Sequence, residues 1–239
     1  MLGKTNGINF GGGNPKYPTG IFKYGDKTIE FNSKTPINVA GVFLYEPHED
    51  GTWDLEIRTS GTLTLTKRAG IGNADVCLIG GGGQSGWNNW DGDYESYGAG
   101  GGGGGSVFNI FSQSVAKGEY SLTMAPGTAT RFGELWSASG GNPGIADSGG
   151  SASSGGGAGG GGHPGGGSGR PGSYAFGDAK YANAWHAAGS RFGTGGAGMA
   201  DHYTSYDHAN GWGNPGSGGV GGNYIKGASG AIIMRSHRD

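Results

Sequence analysis

Two Asp-His pairs stand six residues apart, Asp201-His202 and Asp207-His208, and nothing else in the sequence comes closer to a metal site. Carboxylate oxygen and imidazole nitrogen both ligate metals. A spacing of six matches no recognised ligand pattern, however, and exposed loop residues read the same way, so no metal is expected. The other histidines are His48, His163, His186 and His237. None falls in a Cys/His cluster, beside a nucleophile elbow or near a framed pair of carboxylates. The sequence predicts no catalytic residue, no cofactor and no enzyme.

Aromatic residues offer a different chemistry. Trp87, Trp90, Tyr94 and Tyr97 crowd one loop, with Asn88, Asn89, Asp91, Asp93 and Glu95 between them. Trp185, His186, Tyr203, Tyr206 and Trp212 make a second cluster. Flat rings interleaved with amides and carboxylates are what recognition surfaces use, because they bind at low entropic cost. The alternative is that these rings cover a bare scaffold and stand in for its missing core. Both readings stay open here.

The scaffold in question is glycine. Sixty of 239 residues are glycine, and the long runs lie between Gly80 and Gly222. Glycine loses the most backbone freedom on ordering, so such runs either stay disordered or bring backbones unusually close. Aromatics at 11% and charged residues at only 14% favour order, since disordered segments show the opposite balance. Side-chain-free chain can run as polyproline II, three residues per turn. Such runs pack side by side only where glycine faces glycine. No strict Gly-X-Y register exists, which rejects collagen, and no glycine run opens into Lys-Ser or Lys-Thr, which rejects a phosphate loop. Basic residues are sparse beyond residue 69 and the net charge is −2, so no nucleic-acid partner is expected.

The elements that must hold these loops read as strands. Trp53-Asp54-Leu55-Glu56-Ile57-Arg58 and Thr62-Leu63-Thr64-Leu65-Thr66 alternate. Ala74-Asp75-Val76-Cys77-Leu78-Ile79 enters the first glycine run and Val107-Phe108-Asn109-Ile110-Phe111 leaves the second. Tyr120-Ser121-Leu122-Thr123-Met124, Thr28-Ile29-Glu30-Phe31, Gly41-Val42-Phe43-Leu44-Tyr45 and Ala231-Ile232-Ile233-Met234-Arg235 complete the set. No window carries a helical stripe. The expected fold is all-β: a small β-sandwich with glycine-rich insertions, built as packed polyproline II runs, at 80–106 and 138–227. Residues 1–58, of ordinary composition, are expected to form an attachment region, and 59–239 the glycine-rich β domain. Cys77, in a strand, is expected to be a buried thiol. No stretch is long enough to span a membrane, and no secretory leader is visible. The expected route out of a cytoplasm is therefore cell lysis.

The segments Thr59-Ser60-Gly61-Thr62-Leu63-Thr64-Leu65-Thr66 and Ala74-Asp75-Val76-Cys77-Leu78-Ile79-Gly80-Gly81-Gly82-Gly83, the six glycines from Gly100, and the ending from Gly227 to Arg238 together resemble glycine-rich proteins of phages and prophages of Gram-positive bacteria. The resemblance covers residues 53 to 238. It implies a virion tail location and a tail-fibre or baseplate-distal role, with a host-surface glycan or protein as receptor. Other tail proteins would hold the N-terminal region, and the chain would assemble as a homotrimer or, in the manner of the T-even-type tip, sit as one copy on a trimeric fibre. The glycine-rich tip adhesins of T-even-type phages supply a fold analogy, with layered polyproline II helices and loops at the end. The alternatives are a structural tail or decoration protein without a ligand, and a glycine-rich surface protein of a bacterial cell.

Overall fold

Alternating apolar residues in short β-branched and aromatic runs bury one face of a strand, and this chain folds accordingly. A computed structural model describes residues 17–32, 34–67, 70–86, 100–145, 149–152, 169–196, 214–219 and 225–236. Among the described residues twelve strands form: β1 (Gly20–Tyr24), β2 (Lys27–Phe31), β3 (Ile37–Val39), β4 (Phe43–Pro47), β5 (Trp53–Ile57), β6 (Gly61–Leu65), β7 (Ile71–Ile79), β8 (Val107–Val115), β9 (Gly118–Thr123), β10 (Thr130–Phe132), β11 (Trp136–Ala138) and β12 (Ala231–Ser236). They make two six-stranded sheets, β11-β10-β9-β6-β1-β2 and β3-β4-β5-β12-β7-β8. All pairings are antiparallel. The only helical piece among the described residues is a short 3-10 turn, Ala175–Gly177.

Between the sheets lies one apolar core, in which Phe22, Leu63 and Phe132 of the first sheet meet Phe43, Leu55 and Val76 of the second. The sheets cross the expected boundary at residue 58: β1 pairs with β6, and β5 pairs with β12. From Tyr17 onward the N-terminal stretch is thus built into both sheets and is not set apart as a module. The reason is burial, since β1 and β5 supply Phe22, Leu55 and Ile57 to the shared core.

The second sheet is covered on its outer face as well. Cys77 and Ile79 of β7 and Ile233 of β12 point away from the sandwich core and pack under Phe176, Tyr181 and Phe192 of the segment 173–192. The Cys77 thiol is fully enclosed, and burial pushes it up to about 12, so no thiolate forms near neutral pH.

At one end of the sandwich the strands run into glycine. The hydrogen bonding of these runs repeats every third residue. Gly80, Gly83 and Gly86 donate to the carbonyls of Ser106, Gly103 and Gly100, at 2.8 to 2.9 Å. Gly82 and Ser85 turn instead to Ala228 and Ile225, and Gly81 to Thr128. The run 100–106 behaves alike: Gly100, Gly103 and Ser106 donate to Ile145, Asn142 and Ser139, while Gly102 and Gly105 donate to Gly219 and Gly216. An amide that rotates by a third of a turn per residue is the signature of the threefold polyproline II helix. Because that helix has no internal bonds, its polar groups are satisfied only by neighbouring runs, and that requires glycine. A Cβ at Gly81, Gly82, Gly104 or Gly218 would lie on a neighbour's carbonyl oxygen, closer than the 3.0 Å that real Cβ atoms essentially never cross.

Candidate functional site

Most of the aromatic candidates, Trp87, Trp90, Tyr94, Tyr97, Tyr203, Tyr206 and Trp212, lie outside the described residues, as do His202 and His208. The residues flanking them are described. Gly86 and Gly100, which bound 87–99, are bonded to each other at 2.8 Å. Gly100 also donates to Ile145, which precedes 146–148, and Ser85 donates to Ile225, which follows 220–224. Gly219 donates to Gly83. The ends of five runs, at Gly86, Gly100, Ile145, Gly219 and Ile225, therefore meet at the side of the bundle away from the strands. Ile145 stands there with 64% of its surface exposed.

Trp185 and His186 are placed elsewhere, on the outer face of the second sheet. A tight turn forms because Asn183 Oδ1 accepts the backbone amides of both Trp185 and His186. The Trp185 ring stacks on the Arg58 guanidinium at 4.4 Å, and its Nε1 donates to Asn38 Oδ1 at 2.9 Å. His186 is only 3% exposed and sits edge-on to Phe192. Its Nδ1 faces Asn214 Oδ1 at 2.9 Å, and Asn214 Nδ2 is already donated to the Arg191 carbonyl. Nδ1 must then carry a hydrogen. Nε2 lies 2.7 Å from Arg58 Nη2 and 3.0 Å from Glu56 Oε1. A neutral ring accepts from Arg58, and a protonated ring donates to Glu56.

Glu56 is the centre of this network and was not legible as a site. It is fully buried, and accepts from Arg58 Nε at 2.7 Å and from Asn183 Nδ2 at 2.8 Å. Burial pushes its carboxyl up, but His186, Arg58 and Asn183 together outweigh that and hold it below the usual carboxylate range. Nearby Glu46 accepts the backbone amide of Ala184. Arg235 pairs with Asp75 at 3.2 Å and stacks over Phe176. The arrangement is polar glue that docks 173–192 on the sheet. His186 is thereby enclosed and Trp185 has one face occupied.

A cleft of about 370 Å³ opens beside it, lined among others by His48, Asp54, Asp178, Lys180 and Arg235. His48 Nε2 contacts Asp54 Oδ2 at 2.9 Å. No hydrogen bond of good geometry reaches Asp54 Oδ1, which is enclosed. Burial raises the Asp54 carboxyl above its usual range, and His48 only partly opposes this. A raised carboxyl favours the fold while protonated and costs stability as pH climbs through its folded value. Asp54→Asn is therefore expected to stabilise the chain at pH 7. The gain should shrink as pH falls and the wild-type group takes up its proton. Urea unfolding at pH 7 and pH 4 checks this, and an equal loss of stability at both would refute it. Among the described residues no group of His, Cys, Asp and Glu is disposed to hold a metal.

No protein-family model matches this sequence, and no curated protein sequence is significantly similar to it.

Proposed function

We propose that this chain is a phage tail-fibre or baseplate-distal protein that binds the host cell surface, a glycan or a protein, through aromatic loops on a glycine-rich scaffold. The observation that carries the reading is the meeting of run ends at Gly86, Gly100, Ile145, Gly219 and Ile225 on the end of the bundle opposite the strands. The segment with four of the aromatic candidates is pinned at both ends there. Runs held chiefly by backbone hydrogen bonds give a scaffold on which loops can differ in sequence without disturbing its packing. Trp and Tyr faces then supply stacking against sugar rings or apolar side chains, and the interleaved Asn and Asp supply direction. In this reading the chain acts as a homotrimer in the virion tail, joined through its N-terminal region to other tail proteins. Neither nucleic acid nor membrane insertion enters it; no helix among the described residues is long and apolar enough to cross a membrane.

A second reading, a structural tail or decoration protein without a ligand, draws on Trp185 and His186, which are consumed in holding 173–192 to the sheet. One experiment separates the two. Trp87→Ala/Trp90→Ala in the full chain is expected to weaken binding to host cells by on the order of tenfold or more, with unchanged circular dichroism and unchanged incorporation into particles. Normal cell binding together with poor incorporation would sink the receptor-binding reading in favour of the structural one.

A further inference from the structure

Arg58 and His186 share one buried carboxylate where the segment 173–192 docks on the second sheet. Arg58 Nε donates to Glu56 Oε1 at 2.7 Å, and His186 Nε2 lies 3.0 Å from the same oxygen. Arg58 Nη2 lies only 2.7 Å from His186 Nε2. A guanidinium nitrogen is always a donor, so a contact that short is a hydrogen bond only when Nε2 offers its lone pair. Because Asn214 Oδ1 fixes the hydrogen on Nδ1, the geometry is that of the neutral ring.

A proton on Nε2 would set two N–H donors 2.7 Å apart with nothing to accept between them. One of the two has to leave, and burial decides which. The side chain of His186 is 1% exposed and that of Glu56 0%, against 22% for Arg58. The imidazole is also pinned, by Asn214 at Nδ1 and by its edge contact with Phe192. A protonated Nε2 keeps Oε1 as its acceptor, so Glu56 stays paired with a cation in either state, while Oε2 keeps Asn183. Among the described residues, the other titratable and charged groups around the ring are neutral or already engaged. Burial raises the Cys77 thiol of β7 and the Tyr181 phenol, the two neutral groups that feel the Glu56 charge. Glu46 of β4 accepts the Ala184 amide, and Asp54 of β5 faces His48. The Arg191 guanidinium donates to the Gly172 carbonyl and the Tyr174 hydroxyl.

The departing group is the one that covers Trp185. The Arg58 guanidinium stacks on that ring at 4.4 Å, and the ring is held in place separately, through Nε1 to Asn38 Oδ1. We infer that His186 is a proton-operated latch on Trp185: neutral, it holds Arg58 over the ring; protonated, it takes the place of Arg58 at Glu56 and bares that face of the indole without undocking the segment. The latch goes beyond the proposed function and stands whether or not the aromatic loops bind a receptor. Acidity then sets what Trp185 presents, a face capped by a cation or a bare one.

The test is an NMR titration of the isotope-labelled full chain from pH 8 to pH 5, the range in which imidazoles ordinarily titrate. The Trp185 indole N–H resonance, identified by its loss in Trp185→Phe, is expected to shift with a one-proton profile. Its midpoint should match that of the His186 ring nitrogens. The Phe192 amide, which donates to the Ser173 carbonyl at 2.8 Å, should hold its position, because the segment stays docked. In His186→Gln, which has no titrating nitrogen, the indole shift should be lost. If that variant does not fold, Arg58→Gln is read in its place: the His186 ring still titrates there, and the indole no longer follows it. A wild-type indole that does not shift would overturn the latch, as would one that shifts unchanged in the variant. A Phe192 amide moving with the same midpoint would overturn it too, since the whole segment would then be letting go.

Discussion

Gly104→Ala is expected to be among the most damaging single substitutions in this chain, although it adds only one methyl. Gly104 lies in the run 100–106, which is bonded to 80–86 and 139–145 and to Gly216 and Gly219. A methyl there would sit on the Gly193 carbonyl. In an ordinary core, extra methylenes displace flexible side chains and cost about 1–3 kcal/mol. Here the obstacle is backbone whose own hydrogen bonds would have to break, so the expected loss lies at or above the top of that range. Against a total stability of about 5–15 kcal/mol, that is enough to lower the yield of folded protein. Gly72→Ala is the matched control. It is also a glycine, in β7, but its new Cβ would meet nothing within 4 Å. The effect there should be neutral, or stabilising by up to about 1 kcal/mol through the unfolded chain. Thermal or urea unfolding of the pair checks the claim. Equal tolerance of the two methyls would mean that the glycine runs are not packed backbone to backbone.

That prediction rests on a feature visible in the sequence. Glycine runs tied at both ends by strand-like segments had few ways to order, and the threefold hydrogen bonding of 80–86 and 100–106 is the one that glycine alone permits. The long strands were equally legible, because period-two alternation marks β6, and dense apolar runs mark β7 and β12. β1, β3, β10 and β11 were not, being too short or too ordinary for a period to show. The boundary at 58 rests on a different signal. Composition changes there, but pairing follows burial, and β5 finds its partner β12 at the other end of the chain. The network around Glu56 was hidden by the same distance. Alternation in β5 says that Glu56 faces away from Leu55 and Ile57. It does not say that a segment 127 to 130 residues later covers that face. A charged residue opposite two apolar ones reads as a solvated position. Only the fold turns it into an enclosed one.

Glu56→Ala is accordingly expected to cost about 3–5 kcal/mol, the range for removing one member of a buried ion pair and leaving its partners uncompensated. Arg58 and Asn183 would each lose an acceptor, and His186 the carboxylate that faces its Nε2. The loss should be local before it is global. The segment 173–192 would keep its apolar anchors Phe176 and Phe192 but lose the polar contacts that fix its turn at Asn183. Trypsin should then cut at Lys180 and Arg191 faster than in the wild type, while the sandwich stays resistant. Glu56→Gln keeps an acceptor and removes the charge, so it should fall between the two. Its pH dependence carries the sign. Because the folded Glu56 carboxyl is held below its usual range, its contribution is complete at neutral pH and is lost as pH falls through the depressed folded value. Asp54 works in the opposite sense, since its raised carboxyl relaxes on protonation. Acidification should therefore first ease Asp54 and only later unmake the Glu56 network. The stability gap between wild type and Glu56→Gln should be widest at pH 7 and close in strong acid. A gap that is constant with pH would show that the charge on Glu56 adds nothing, and that packing alone docks the segment.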